Sequence, residues 1–307
     1  MNQKPIILVT GATGAQGGSV ALALMSSGKY HVRCLTRNKH SEKALALKRK
    51  GAEIVEGDLG NIESLKSAMR DCYGVFGLTN FWEHYEEEAL HGKNLVKAVH
   101  ASGIPHFVFS SLPGYHTLSG GKFPVPHCDI KASLENFIKR LGLPATFIHI
   151  AFYYENFLSF FPPQPDGNGG YYFGFPQGDT KLAMVSAEDL GKIVAKIFDH
   201  PLEYLGRTVG VVGENRTCTE YAAIMSSVLQ RDIKYHYIPR DVYAAFDFAG
   251  AEELANMFEV QRLFIPERTI DLIESYGLNP SMQTFESWLF NNRQKFHLPS
   301  PIAEAAY

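Results

Sequence analysis

No stretch of the 307-residue chain approaches the roughly 20 consecutive apolar residues that a membrane-crossing helix needs. The apolar run nearest the N-terminus, Ile6-Ile7-Leu8-Val9, is too short for a secretory signal core, and no small-residue cleavage site follows it. These two absences predict a soluble chain of the cytoplasm, extending to the nucleus, with no membrane partner. Cysteine is scarce as well. The four present (Cys34, Cys72, Cys128 and Cys218) form neither a CxxC pair nor a metal-ligating spacing, so free thiols in a reducing compartment are expected. Charge of one sign is not in excess: 29 Lys and Arg against 32 Asp and Glu leave a formal charge of −3. Nothing in that balance suggests direct contact with nucleic acid. The twelve histidines contain no HxxxH or HExxH spacing, so no metal site is expected. There is no GxSxG nucleophile motif. Without a secretory signal, the sequon Asn215-Arg216-Thr217 is accidental. No internal repeat or low-complexity segment is visible.

What is there is an alternation of two periods over the first 150 residues. Short runs rich in Val, Ile and Phe have the character of buried parallel strands: Ile6–Thr10, His31–Thr36, Glu53–Glu56, Gly74–Leu78, His106–Ser110 and Ala145–Ile150. Helical patterning separates them, from Ser19 to Ser27, Ser41 to Lys50, Ile62 to Met69 and Glu83 to Ala101. The last of these has Glu83, Glu86, Glu87 and Glu88 near its start and Lys97 and His100 near its end. That order suits the helix dipole and predicts a solvated helix face. Alternation of this kind implies right-handed crossovers and an α/β fold, a doubly wound parallel sheet of the Rossmann type with ligands at the carboxyl ends of the strands.

After Ile150 the texture changes. Nine prolines and glycines between Pro162 and Gly178 mark a loop or hairpin, with Tyr171-Tyr172-Phe173 as a short strand. Helical patterning resumes at Ala187–Asp199 and Thr219–Leu229 and again from Arg240. The expectation is a dinucleotide-binding domain over residues 1–150 and a smaller, mostly helical C-terminal domain over 151–307, some of whose segments return to the sheet.

The strongest motif is Gly11-Ala12-Thr13-Gly14-Ala15-Gln16-Gly17, which directly follows the first predicted strand and opens a helix. Gly11 permits the tight turn, Gly14 lets backbone approach a pyrophosphate, and Gly17 lets the helix pack against the strand. The helix N-terminus offers free N–H groups and a positive dipole end. Strand, turn and helix in that order are the context a glycine pattern needs before it signals a dinucleotide. NAD-binding folds place a carboxylate at the end of the second strand for the ribose 2′-hydroxyl. Here that place carries Arg37, in Leu35-Thr36-Arg37-Asn38. A guanidinium suits a 2′-phosphate, so NADP(H) is the expected cofactor. Asp58 and Leu59 end the third strand, where the adenine edge would lie. Asp58 is open to two readings, acceptor for the adenine amine or cap of the next helix.

The order GATGAQGGSV, LTRN, GDL, LTNFW and FYYENFLS resembles the NmrA-like branch of the atypical short-chain dehydrogenases, over most of the chain and more weakly beyond residue 200. The resemblance implies a Rossmann domain with a smaller C-terminal domain and NADP(H) as ligand. Some members of that family are regulators or redox sensors that lack dehydrogenase activity and act through a protein partner. Others are NADPH-dependent reductases of quinones or dyes, which take a small planar acceptor. A regulator or sensor is the first expectation, a reductase the alternative, with a homodimer also open. Carried over by position, Gly11, Ala12, Thr13, Gly14, Ala15 and Gln16 would hold the pyrophosphate and Arg37 the 2′-phosphate. Thr79, Asn80 and Phe81 would line the ribose and nicotinamide, with Lys93 and Lys131 near the cofactor. Tyr153, Tyr154, Glu155 and Asn156 match the family's aromatic–acid–Asn segment near the nicotinamide.

Short-chain dehydrogenases transfer a proton through Tyr-x-x-x-Lys, whose two residues share one helix face. In this chain the stretch is His127-Cys128-Asp129-Ile130-Lys131: the lysine is kept and histidine replaces tyrosine. His127 is a candidate acid, or else a residue that fills space beside the cofactor. Lys131 is the candidate for a ribose hydroxyl. Ser110 or Ser111 stands at the usual serine location. The missing tyrosine argues against alcohol oxidation more strongly than against quinone reduction, for which solvent can supply protons. The aromatic run Phe152, Tyr153, Tyr154, Phe157, Phe160 and Phe161 would either wall a pocket for a flat substrate or pack a core.

Overall fold

A computed structural model describes residues 4–83, 85–265 and 267–299 and divides the chain into two compact units. The first runs through Gly114 and adds His127–Ile150 and Ala187–Val211. Its strands are β1 (Ile6–Val9), β2 (His31–Thr36), β3 (Glu53–Glu56), β4 (Cys72–Gly77), β5 (His106–Ser111) and β6 (Ala145–Ile150). A seventh strand, Thr208–Val211, completes the sheet; its short, glycine-containing sequence, Thr-Val-Gly-Val, has too little pattern to be found in advance. The order is Thr208–Val211, β6, β5, β4, β1, β2, β3, and every pairing is parallel. The chain direction of the winding reverses between β1 and β4, the switch point at which such sheets bind ligands. β5 is buried along its whole length, as a central strand covered on both faces must be.

Four helices lie between the first five strands: α1 (Ala15–Ser27), α2 (Glu42–Arg49), α3 (Ile62–Ala68) and α4 (Glu88–Ala101). One face of the sheet is closed by a core in which Leu8, Val75, Phe107 and Phe109 meet Leu65 of α3, Leu95 and Val99 of α4 and Leu134 of the helix Pro126–Arg140. Burial of each such side chain contributes roughly 1.5–3 kcal/mol. Gly191, at the start of the helix Leu190–Asp199, lets that helix approach α1 so closely that a Cβ would stand 2.1 Å from the Ser19 carbonyl oxygen.

The fourth helix corrects an expectation. It begins at Glu88, not at Glu83, and the segment before it turns. Phe81, Trp82 and Tyr85 cluster there, with Phe81 and Tyr85 rings 4.4 Å apart. Nor is the acidic run one solvated face: Glu86 and Glu87 are exposed, but Glu88 is fully buried.

The second unit comprises Tyr115–Pro126, Ala151–Ser186 and the chain from Val212 onward. It holds two three-stranded sheets, one ordered Glu214–Thr217, Lys181–Val185, Phe152–Tyr153 and the other Ile233–Tyr237, Tyr171–Phe175, Gln164–Pro165. Helices make up most of its remainder, chiefly Cys218–Leu229, Ala251–Phe264, Thr269–Leu278 and Phe285–Asn292. The aromatic run supplies its core. Phe157 packs on Phe173 and Phe285, and Phe175 stacks on Phe258 with centroids 4.4 Å apart. Phe160 alone of the run faces solvent, 67% exposed.

Candidate nucleotide site

The site builds from β1 outward. Gly11 takes a left-handed backbone (φ +59°), which L side chains adopt only with strain, and it turns the chain off the strand. Gly14 caps α1 without any side-chain hydrogen bond. By contrast α2 and α3 open on Ser41 and Asn61, whose side chains accept from first-turn amides. A Cβ at Gly17 would lie 2.3 Å from the Gly11 carbonyl oxygen, so the helix starts where it does only because residue 17 is glycine. The result is a helix N-terminus with a positive dipole end and no capping side chain, directly after the strand at the switch point. This is a cradle of the shape and polarity that a pyrophosphate requires.

Arg37 follows β2 directly, half-exposed, and its Nη2 is ion-paired with Glu83 Oε1. The other Glu83 oxygen accepts from Asn80 Nδ2 at 3.1 Å. Asp58, after β3, is exposed; its Oδ1 accepts from the Gly60 amide at 2.7 Å. It therefore shapes a local turn and does not cap α3, a role that belongs to Asn61. Leu59 is half-buried, and its carbonyl accepts from Asn94 at 3.0 Å. Lys93 lies exposed on α4.

A second group stands past the end of β4. The Lys131 amine donates to the Thr79 carbonyl at 3.1 Å and to the Thr79 hydroxyl at 3.0 Å, and it is ion-paired with Glu88 Oε1. The Thr79 hydroxyl in turn donates to the same Glu88 oxygen at 2.5 Å. An ammonium has three hydrogens, and here three acceptors within the chain meet them, so a ribose hydroxyl would have to displace one. The second Glu88 oxygen is buried without a hydrogen-bond partner. One turn before Lys131, His127 is buried against Phe81 and Trp82, with centroids 5.9 and 5.4 Å away. Ser110 donates to Gln16 Oε1 at 2.7 Å, tying the end of β5 to the glycine turn. Ser111 donates to the Lys131 carbonyl at 3.2 Å and so braces the lysine's helix.

Thus the first unit brings together the glycine turn, Arg37, Thr79, Asn80, Phe81, His127 and Lys131 at the carboxyl ends of its strands. Tyr153, Tyr154, Glu155 and Asn156 belong to the second unit. There Tyr154 is fully buried, 5.1 Å from the Phe285 ring and 5.6 Å from Trp288, and Glu155 accepts from Ser186 Oγ at 2.7 Å. The sequence reading missed Glu83 and Glu88. Glu88 had a signal: it lies three, four and seven residues before the buried His91, Gly92 and Leu95 of α4, on the helix's apolar stripe. Glu83 had none, because it sits in a turn and meets an arginine from another loop.

Two cysteines of the first unit are unsuited to thiol chemistry. Burial pushes Cys34 up to about 12 and Cys72 to about 11. Burial raises Cys218 of the second unit as well. A thiolate, the reactive form, is therefore scarce at these positions. Among the described residues no cluster of His, Cys, Asp and Glu forms a metal site, and no helix is long and apolar enough to cross a membrane.

The family model described as the NmrA-like family matches residues 3–289. The chain is 32% identical to the NmrA-like family domain-containing oxidoreductase FrzB of Cladobotryum sp, over 82% of this chain and 81% of that protein. It is 30% identical to the nitrogen metabolite repression protein nmrA of Emericella nidulans, over 78% of this chain and 69% of that one. A crystal structure of NmrA, a negative transcriptional regulator, in complex with NADP has the same fold, with a TM-score of 0.80 at 24% identity, covering 94% of this chain and 95% of that one. By sequence and by fold alike, the chain belongs to the NmrA-like family.

Proposed function

We propose that the chain binds NADP(H) and acts as a regulator or redox sensor with little or no dehydrogenase turnover. The observation that carries this reading is the state of the Tyr-x-x-x-Lys position. No phenol stands one turn before Lys131, and the lysine amine is bonded to Thr79 and a buried carboxylate. The His127 imidazole stands where the phenol of the short-chain dehydrogenases would exchange a proton with an alcohol or ketone. The binding half of the machinery is intact. The first-turn amides of α1 would hold the pyrophosphate, Arg37 the 2′-phosphate, and Thr79, Asn80 and Phe81 would border the ribose and nicotinamide. When bound, NADPH supplies a hydride. Burial of Cys34, Cys72 and Cys218, which raises their thiol pKa values, supports a sensor that responds to the nucleotide and not to oxidation of these three sulfurs. Regulation through a protein partner requires that the partner distinguish the nucleotide-bound chain from the free one.

The second reading is an NADPH-dependent reductase of planar acceptors. It is supported by the oxidoreductase name of the FrzB relative and by the half-exposed Trp82 and Tyr85 rings beside buried His127. Mixing the purified chain with NADPH and a panel of quinones separates the two. The sensor reading expects tight NADPH binding, an altered protease cleavage pattern and no acceptor-dependent loss of NADPH. Rapid loss that saturates with acceptor would replace it with the reductase.

A further inference from the structure

We propose that Glu83 is a built-in competitor for the 2′-phosphate: it occupies Arg37 until the phosphorylated nucleotide displaces it, and so sets the discrimination between NADP and NAD forms. The proposal rests on the reading of Arg37 given under the proposed function. Glu83 forms its ion pair across 46 residues of sequence, from the turn after β4 to the loop after β2. One carboxylate oxygen takes the guanidinium and the other accepts from Asn80 Nδ2 at 3.1 Å. Glu83 therefore joins the residue assigned to the extra phosphate with a residue assigned to the ribose.

The chemistry gives the direction of the exchange. A guanidinium presents five N–H donors in a planar fork. Glu83 offers it a carboxylate that carries a single negative charge. A phosphate monoester offers three oxygens and a charge of about −1.5 to −2, so it is the stronger partner for the same fork. The ion pair is half-exposed on both sides, 54% and 47%, which keeps it weak enough to be exchanged. A nucleotide with a bare 2′-hydroxyl offers the guanidinium no anion, and the Arg37–Glu83 pair persists. A nucleotide with the phosphate takes the guanidinium, frees Glu83 and releases its hold on Asn80. Wild-type affinity for NADP is thereby lower than the 2′-phosphate contact alone would give.

Calorimetric titration with NADP+ and NAD+ of four proteins, wild type, Glu83→Gln, Arg37→Ala and the double variant, tests this. The oxidised nucleotides avoid turnover. Glu83→Gln is expected to tighten NADP+ binding about 2- to 5-fold, the range of an exposed ion pair, and to leave NAD+ unchanged. Because Glu83 acts through Arg37, the gain should vanish in the double variant. Unchanged or weaker NADP+ binding by Glu83→Gln would overturn the proposal, since the carboxylate would then be irrelevant to Arg37 or a support for it. So would a gain that survives in the Arg37→Ala background. If Arg37→Ala alone leaves the NADP+ to NAD+ ratio intact, the assignment of the 2′-phosphate itself fails. A collapsed ratio with an inert Glu83→Gln sinks only the competitor.

Discussion

The two ends of the seven-stranded sheet treat polar side chains differently. At the amino ends, neighbouring strands supply many of the partners. Arg33 of β2 stands in register with Glu53 of β3 and binds it at 2.9 Å, His31 binds the same carboxylate at 2.9 Å, and His106 of β5 meets Thr146 of β6 at 2.9 Å. At the carboxyl ends, partners are gathered from loops and helices far apart in sequence: Ser110 with Gln16 across 94 residues, Arg37 with Glu83 across 46, Lys131 with Glu88 across 43. Adjacent strands supply the first set, which therefore serves the sheet. The second set depends on loops that the sheet merely anchors, which is where a rigid scaffold presents its chemistry. Substitutions at the amino ends should cost stability and spare nucleotide binding, with the reverse at the carboxyl ends.

Glu88 is expected to break that contrast most severely. It stands at the carboxyl end yet is wholly buried, and its removal leaves the mostly buried Lys131 ammonium without a counter-charge. Glu88→Ala should cost about 3–5 kcal/mol of unfolding free energy. Replacing the pair together, as Glu88→Leu with Lys131→Met, should return most of that loss, because no buried charge is then stranded. Urea denaturation of the three proteins measures both. A single variant within 1 kcal/mol of wild type, on the scale of ordinary substitutions, would show that Lys131 has another route to solvent.

His106 sharpens the amino-end half of the contrast. Burial lowers it from 6.5 to about 4. The folded chain therefore binds fewer protons at this group than the unfolded chain between pH 4 and 6.5. Stability from the neutral, buried ring is fully present above the unfolded value and lost as pH falls toward the folded one. The loss across that window should be on the order of 3 kcal/mol. His106→Gln should flatten the slope there without altering NADP+ affinity. An equally steep variant would assign the slope to other groups.

Arg37 is the carboxyl-end counterpart. Arg37→Ala should weaken NADP+ about 10- to 100-fold, the equivalent of a charge-assisted contact of roughly 1.5–3 kcal/mol. NAD+ binding should stay unchanged and stability within about 0.5 kcal/mol, because the ion pair it loses is exposed. A lower melting temperature with an intact cofactor preference would move Arg37 to the structural side.

What could be read in advance follows the same division. The glycine turn was legible because its function is carried by backbone, and backbone constraints are written locally: Gly11 by its φ, Gly17 by its distance to the turn. Six strands of the sheet were legible from their apolar runs. Helix α4 was placed too early because a run of glutamates carries dipole logic in sequence, whereas Glu83 answers to Arg37 and Glu88 to Lys131 in space. The aromatic run after Ile150 was equally consistent with pocket and core, since composition does not say what faces what. The positions of Tyr154 and Phe157, both within 1% of full burial, decide for core there.

The smallest expected effect lies at Asp58, which sequence alone left open between cap and adenine contact, and at Asn61, which takes the cap. Asn61 accepts from the Glu63 and Ser64 amides, both at 3.1 Å, and caps α3. Its replacement by alanine should cost about 1 kcal/mol of stability and leave nucleotide affinity alone. Asp58 binds one amide in an exposed turn, so Asp58→Ala should change stability by less than about 0.5 kcal/mol. If its carboxylate accepts from the adenine amine, the same variant should weaken NADP+ and NAD+ equally, about 5-fold for one hydrogen bond, because adenine is common to both. That equality separates it from Arg37, whose loss is felt by the phosphorylated nucleotide alone. An Asp58→Ala protein that binds both nucleotides as wild type does would leave this aspartate with its turn and nothing more.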